Sequence, residues 1–415
     1  MSTLNRLFLF AMIIFVISAC DDGLQQPVHM YVMNNTAATG SQFPNLYQDE
    51  QGVVYMSWIA NIEEDVYALE YSKIEDGRWS PSQTVRVGTD FFVNWADFAS
   101  VVGLDGEAVA VHWLRDRDLE EISHAYDIRI AFPDEETGRW SNIITPHLDE
   151  TATEHGFVSM EPLSRDRVLA IWLDGRNTEG RAHDEYEDFS KAMTLRSAEI
   201  SRDGEITRKR VIDEAVCDCC PTDLVPVDGG FLAVYRDRTE DETRDISIVR
   251  YDLETGEWSD PVTVYEDGWK MMACPVNGPR IVARDDYVAI AWYTGADGDS
   301  KVKLARSTDG GNTFQEPIVV AEGDRVLGRA DLLLTKEGAV YVSWLEARDD
   351  AGYVMLRQVN PGGDLAETIH VGVTSASRSS GFPRMKKVDD AIILAWTQTE
   401  PLVRVRTARV QTGIE

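Results

Sequence analysis

Short apolar runs recur along the chain at near-even intervals: Val53–Trp58, Ala108–Trp113, Val168–Trp172, Phe231–Tyr235, Val288–Trp292, Val340–Trp344 and Ile392–Trp396. Each ends in an aromatic residue, and those aromatics are 55, 59, 63, 57, 52 and 52 residues apart. Runs this short, bounded by Gly, Pro and Asp and free of a sustained 3.6-residue period, read as strands and not as helices. A third strand follows each run, at Ala68–Ser72, Asp127–Ala131, Ala192–Ala198, Asp245–Tyr251, Val302–Ser307, Val354–Val359 and Val403–Val410. A shorter strand precedes each run, and a fourth follows in six of the seven copies, as at Thr84–Val87, Val262–Tyr265 and Ile318–Val320.

Four strands in a repeat of 50–60 residues match a propeller blade better than a sandwich or a βαβ unit. The seventh copy runs out of chain before its fourth strand, and Val28–Met33 stands unused ahead of the first. Pairing the two would close the ring and remove an exposed edge. The expectation is an all-β β-propeller over residues 28–415 with seven four-stranded blades, the N-terminal strand completing the last. Six blades is the alternative if one copy is a decorated loop.

The turn between third and fourth strands repeats as well: Asp76-Gly77-Arg78-Trp79, Thr137-Gly138-Arg139-Trp140 and Thr255-Gly256-Glu257-Trp258. In the fifth copy it reads from Ser307 through Asp309 and Gly311 to Phe314. Ser307–Phe314 resembles the Asp box (BNR repeat) of sialidase-like β-propellers. The box is a folding element on the face away from the usual site, so it implies fold and not chemistry.

Residues 1–20 hold one cation, Arg6, then the apolar run Leu7–Ile17 and Ser18-Ala19-Cys20. Eleven apolar residues are too few for a transmembrane helix but suit a signal peptide. Ile17-Ser18-Ala19-Cys20 resembles the lipobox of bacterial lipoproteins. That resemblance implies a signal peptide over 1–19, acylation (palmitate) on Cys20, a tether over 20–27, and a body held at a membrane surface of the cell envelope.

With 40 Lys+Arg against 71 Asp+Glu the net charge is −31, which opposes binding to nucleic acid or to anionic lipid surfaces. Against that background the arginines are placed unusually. In a propeller the loop after each second strand and the loop before each inner strand share one face. On that face fall Arg115-Asp116-Arg117, Asp174-Gly175-Arg176, Tyr235-Arg236-Asp237-Arg238, Arg329-Ala330-Asp331 and Arg384. Taken singly, each Arg pairs with a neighbouring Asp and ties blades together. Taken together, they can present guanidinium forks to a carboxylate, sulfate or phosphate, making a carbohydrate or small anion the expected ligand.

The same face carries Cys217-Asp218-Cys219-Cys220-Pro221 and Cys274. In an exported chain the expectation is at least one disulfide, with Cys274 reaching Cys219 or Cys220 across the blade boundary. The alternative is a thiolate site for copper or zinc, or a redox protein, with His155 the nearest further ligand and no close His pair beside it. A third reading is a protein-binding scaffold.

The sialidase resemblance implies three arginines on a substrate carboxylate, a Tyr nucleophile activated by Glu, and an Asp acid/base. The family's Arg-Ile-Pro motif is missing, since the matching stretch reads Phe43-Pro44-Asn45. Glycoside hydrolysis is therefore an expectation without assigned catalytic residues.

Overall fold

A computed structural model describes residues 29–117, 124–181 and 188–411; Cys20, with the signal and tether segments, lies outside the described residues. Seven antiparallel sheets stand in a ring. The inner strands are Ser41–Gln48, Ser100–Leu104, His155–Ser164, Asp223–Val227, Arg280–Arg284, Val326–Leu334 and Arg384–Val388. The second strands are Val54–Glu63, Glu107–Asp116, Arg167–Asp174, Gly230–Arg236, Tyr287–Thr294, Val340–Arg348 and Ala391–Gln398. Seven blades are thus established, and the first carries an extra two-residue strand at Arg78–Trp79.

Second strands are predominantly apolar in their middle stretches because a blade packs against a neighbour on each of its two faces. Their terminal aromatics, Trp58, Trp113, Trp172, Tyr235, Trp292, Trp344 and Trp396, are at most 3 % exposed. An indole buried so deeply needs an acceptor. Trp172 Nε1 donates to Asp174 at 2.9 Å and Trp344 Nε1 to Glu346 at 3.0 Å.

The ring closes as the sequence pattern indicates. His29–Met33 pairs antiparallel with Arg404–Gln411, from His29 opposite Gln411 to Met33 opposite Thr407. The Asp box forms its own turn: Ser307 Oγ accepts the Gly311 N–H at 2.9 Å, and Asp309 Oδ1 accepts the N–H groups of Asn312 and Thr313. Gly311 has φ +85°, and a Cβ there would sit 3.2 Å from Leu232 of the preceding blade.

Neighbouring blades are clipped at the mouth by side chains that accept backbone N–H groups. Asp97 accepts from Phe157, Asp223 from Ile281 and Asp331 from Met385, each at 2.8 Å. Asn277 accepts from Arg329 at 2.6 Å and Thr397 from Phe43 at 2.8 Å. Phe43, Phe157 and Arg329 have φ of 54°, 53° and 54°, a left-handed conformation that disfavours non-glycine residues by about 1–2 kcal/mol. Each therefore depends on the preceding blade around the ring to hold it.

Inner strands of six blades line a central channel with a cavity of ≈ 480 Å³. Two acids face it. Burial pushes Asp97 up to about 8, although the Phe157 N–H opposes the shift. Burial likewise raises Glu161 to about 8, although it accepts from the Tyr47 hydroxyl at 2.9 Å.

Deleting residues 1–34 removes the closing strand and leaves the outer edge of Arg404–Gln411 unpaired. The truncated chain is expected to melt on the order of 5–10 °C lower and to self-associate through the open edge, read by thermal denaturation and light scattering. Asp97 and Glu161 bind their protons more tightly folded than unfolded, so their contribution to stability is complete below about pH 4 and is lost as pH rises through about 8. Glu161→Gln keeps an acceptor for Tyr47 and should shrink the stability difference between pH 5 and pH 9 by on the order of 2–4 kcal/mol. An unchanged pH slope in urea titrations would contradict this.

Candidate functional site

Segments far apart in sequence meet on one rim of the ring, because second strands end and inner strands begin on the same face. Arginine- and cysteine-bearing loops share it: the Cys217 N–H donates to the Arg236 carbonyl at 3.0 Å, and Arg181 reaches from the third blade to Asp218 at 2.7 Å. The rim resolves into three regions.

The first joins the second and third blades. Arg176 lies 2.6 Å from Asp174 and 3.1 Å from Asp149. Asp149 lies 3.2 Å from His155 and 3.7 Å from His147, and His147 is 3.9 Å from Asp127. Asp127 in turn is 3.9 Å from both Arg115 and Arg117, while Asp116 is exposed beside them. The two imidazoles stack with centroids 3.8 Å apart and planes 5° from parallel. This corrects the expectation of no close His pair: the outer-strand connection folds His147 back onto His155.

Proton positions follow from the partners. The Ile128 N–H donates to His147 Nε2 at 3.2 Å, so that nitrogen carries a lone pair; burial lowers the His147 pKa in agreement. His155 Nδ1 faces the Thr153 carbonyl at 3.3 Å, and its Nε2 faces Asp149 and Asp174. Burial alone would raise Asp149, but hydrogen bonds from His147 and His155 outweigh it and hold the carboxyl well below the usual range. Asp174 is also lowered, burial being outweighed chiefly by the Arg176 hydrogen bond.

Asp127, His147 and His155, and also Asp149, His155 and Asp174, place candidate metal-ligating atoms within 4.8 Å of one another. The donors are already used, however. A backbone N–H occupies His147 Nε2, and Arg176 and the Trp172 indole occupy Asp174. The side chains are also layered. The side chains of Asp127, Asp149 and Asp174 are 0–12 % exposed and those of Arg115, Arg117 and Arg176 27–44 %, while Asp90, 3.5 Å from Arg115, is 35 % exposed. Phe92 stacks on Tyr126 at 4.0 Å in the same region.

The second region joins the fourth and fifth blades. Cys219 is bonded to Cys274, the cross-blade link expected from the sequence. Gly278 makes the approach possible, because a Cβ there would meet the Pro221 carbonyl oxygen at 1.8 Å. Cys217 and Cys220 are free thiols, both buried, with sulfurs 3.0 Å apart. Burial alone would raise the Cys217 thiol, but the Cys220 hydrogen bond and the charges of Arg244 and Arg236 bring it down to about 7. With Cys219 and Cys274 bonded, the set of four thiolates foreseen for copper or zinc is reduced to two.

Arg236 and Arg238 are both buried and engaged by protein acceptors. Arg236 is buried, donating to the carbonyls of Asn277, Arg244 and Tyr293 while stacking over Trp269 at 4.9 Å. Arg238 pairs with Glu242 at 2.8 Å. Tyr235 is buried and its hydroxyl donates to Asp213 at 2.6 Å, so it does not reach the mouth. Asp237 accepts from Ser247, and burial raises it to about 6.

The third region lines the channel entrance. Arg329 donates to the Ser377 and Gly381 carbonyls and to Ser380 Oγ, pinning the sixth blade to the seventh. Asp331 pairs with Arg280 at 3.2 Å. Arg384 is buried between Phe98 and Phe382, its centre 4.9 and 5.4 Å from their rings. Loss of hydration there lowers its pKa to about 9.

No family model and no curated protein matches the chain. Among solved structures it is similar to a PL25 ulvan lyase bound to -[GlcA(1-4)Rha3S]-, at 10 % identity and TM-score 0.55 over 92 % of this chain and 96 % of that one. A protein of unknown function from Dyadobacter fermentans aligns at 12 % and 0.50, covering 94 % and 99 %. The NanB sialidase of Streptococcus pneumoniae aligns at 12 % and 0.45, covering 91 % and 69 %. At these identities the likeness concerns the fold alone, a β-propeller.

Proposed function

We propose that the protein is a carbohydrate-directed propeller that binds an anionic glycan, bearing uronate or sulfate groups, at the rim of the second and third blades. The observation that carries this reading is the layering there. The Asp127, Asp149 and Asp174 side chains are nearly covered while those of Arg115, Arg117 and Arg176 are partly exposed, so an acidic protein gathers accessible cations at this rim. Arg115, Arg117 and Arg176 offer charge-assisted forks, and the Phe92 and Tyr126 rings lie in the same region. Supporting the class of ligand, the ulvan lyase of the same fold is bound to a uronate-containing, sulfated saccharide. His147, His155 and the three carboxylates are buried under the guanidiniums, which favours binding over hydrolysis as their role. They hold the arginines in place. The lipobox-like Ile17–Cys20 supports a location at the bacterial envelope, tethered through lipid on Cys20.

Titration calorimetry with uronate, sulfated and neutral oligosaccharides tests the ligand class. Acidic oligosaccharides should bind, more weakly at higher salt, and Arg115→Ala or Arg117→Ala should each weaken binding about ten-fold, or about 1.4 kcal/mol. Equal affinity for neutral oligosaccharides, or unchanged affinity in both folded variants, would overturn the reading. For the anchor, Cys20→Ala should move the protein from the membrane to the soluble fraction of expressing bacteria, and continued membrane recovery would contradict it.

A further inference from the structure

Cys217 and Cys220 have the C-x-x-C spacing of dithiol redox pairs, and they sit beside a disulfide that is not one of their own. Their sulfurs are 3.0 Å apart, and the sulfurs of Cys217, Cys219 and Cys220 all lie within 4.8 Å of one another. Magnitudes separate two uses of such a cluster. Two thiolates on one tetrahedral zinc, each at about 2.3 Å, stand roughly 3.8 Å apart, whereas a disulfide brings sulfurs to about 2.05 Å. A separation of 3.0 Å is already shorter than a shared metal requires. Accessibility is graded as well. Cys217 and Cys220 are 1 % exposed, while Cys274 is only half-buried and follows exposed Met272 and Ala273.

We propose that these four cysteines form an intramolecular thiol–disulfide relay, in which the Cys217/Cys220 pair exchanges electrons with the Cys219–Cys274 bridge and Cys274 meets the outside partner. The Cys217 thiolate attacks the Cys219 sulfur, a Cys217–Cys219 bond forms, and the Cys219–Cys274 bond breaks to release the Cys274 thiolate. Cys220, giving up its proton, then attacks Cys217 and releases the Cys219 thiolate. One disulfide is made for one broken, and Cys219 and Cys274 take up the two protons lost by Cys217 and Cys220. The two electrons now on Cys219 and Cys274 leave when a partner disulfide is attacked by Cys274 and reduced to two thiols. Buried Arg236 and Arg244 face the thiolate that starts the sequence.

The folded full-length chain, with chelator present, is poised in mixtures of oxidised and reduced glutathione, quenched in acid, alkylated after unfolding and mapped by peptide mass spectrometry. At the poise where one disulfide remains, the label should be shared between Cys217/Cys220 and Cys219/Cys274. Under oxidising poise all four should be protected. In Cys217→Ser, and separately in Cys220→Ser, with circular dichroism confirming the fold, label on Cys274 at the intermediate poise should fall at least ten-fold. Cys217 and Cys220 labelled at every poise with Cys274 always protected would overturn the relay. So would Cys274 labelling in either folded variant equal to that of the unaltered chain.

Discussion

Closure of the ring governs everything at the rim. A blade has two apolar faces and no way to cover either by itself, so each second strand is stable only between neighbours on both sides. The last blade would lack its outer strand without His29–Met33, and the first and last inner strands would then lose their fixed relation. The clips at the mouth depend on the same closure. Asp97, Asp223, Asp331, Asn277 and Thr397 each accept an N–H from an adjoining blade, and three of those N–H groups belong to residues in left-handed backbone. Strain of that kind persists only where surroundings over-determine it.

Within that frame, arginine does two different jobs. Arg236 and Arg329 are buried and solvated by backbone carbonyls and aromatic faces, substituting for the water they have lost and fastening one blade to another. Arg115, Arg117 and Arg176 instead adjoin Asp127, Asp149 and Asp174, whose side chains are nearly covered, and keep 27–44 % of their own side chains exposed. Two stacked imidazoles link the carboxylates beneath them, so the cationic layer is supported by a continuous set of contacts from Arg176 to Arg115. This arrangement lets a chain of charge −31 gather partly exposed arginines at one rim.

The sulfur region answers to the same geometry with a different chemistry. Cys219 and Cys274 come from consecutive blades, and their bond crosses the boundary that Arg236 also spans through Asn277. Gly278 is indispensable to that crossing, because any side chain there would occupy the space of the Pro221 carbonyl. The neighbouring Cys217 and Cys220 are thereby held side by side without being bonded.

The chain alone determined the propeller class, the strand order within a repeat and the closing role of the N-terminal strand, because a two-residue strand period and a recurring terminal aromatic are local properties repeated along it; it favoured seven blades over six, and the seven sheets settled the number. It also indicated that arginines and cysteines gather on one face, since topology places equivalent loops together. Which arginines meet solvent was decided only in three dimensions: Arg176 and Arg236 follow the same kind of strand end, yet one rests on buried carboxylates and the other is enclosed by carbonyls from the next blade. His147 escaped a sequence reading for a related reason. Its significance comes from stacking on His155 after the chain reverses direction, and Asp97 and Glu161 acquire their shifted acidity only from a channel that six blades build together. Periodicity is written along the chain, whereas burial, charge pairing and proton affinity are set by neighbours that closure of the ring supplies.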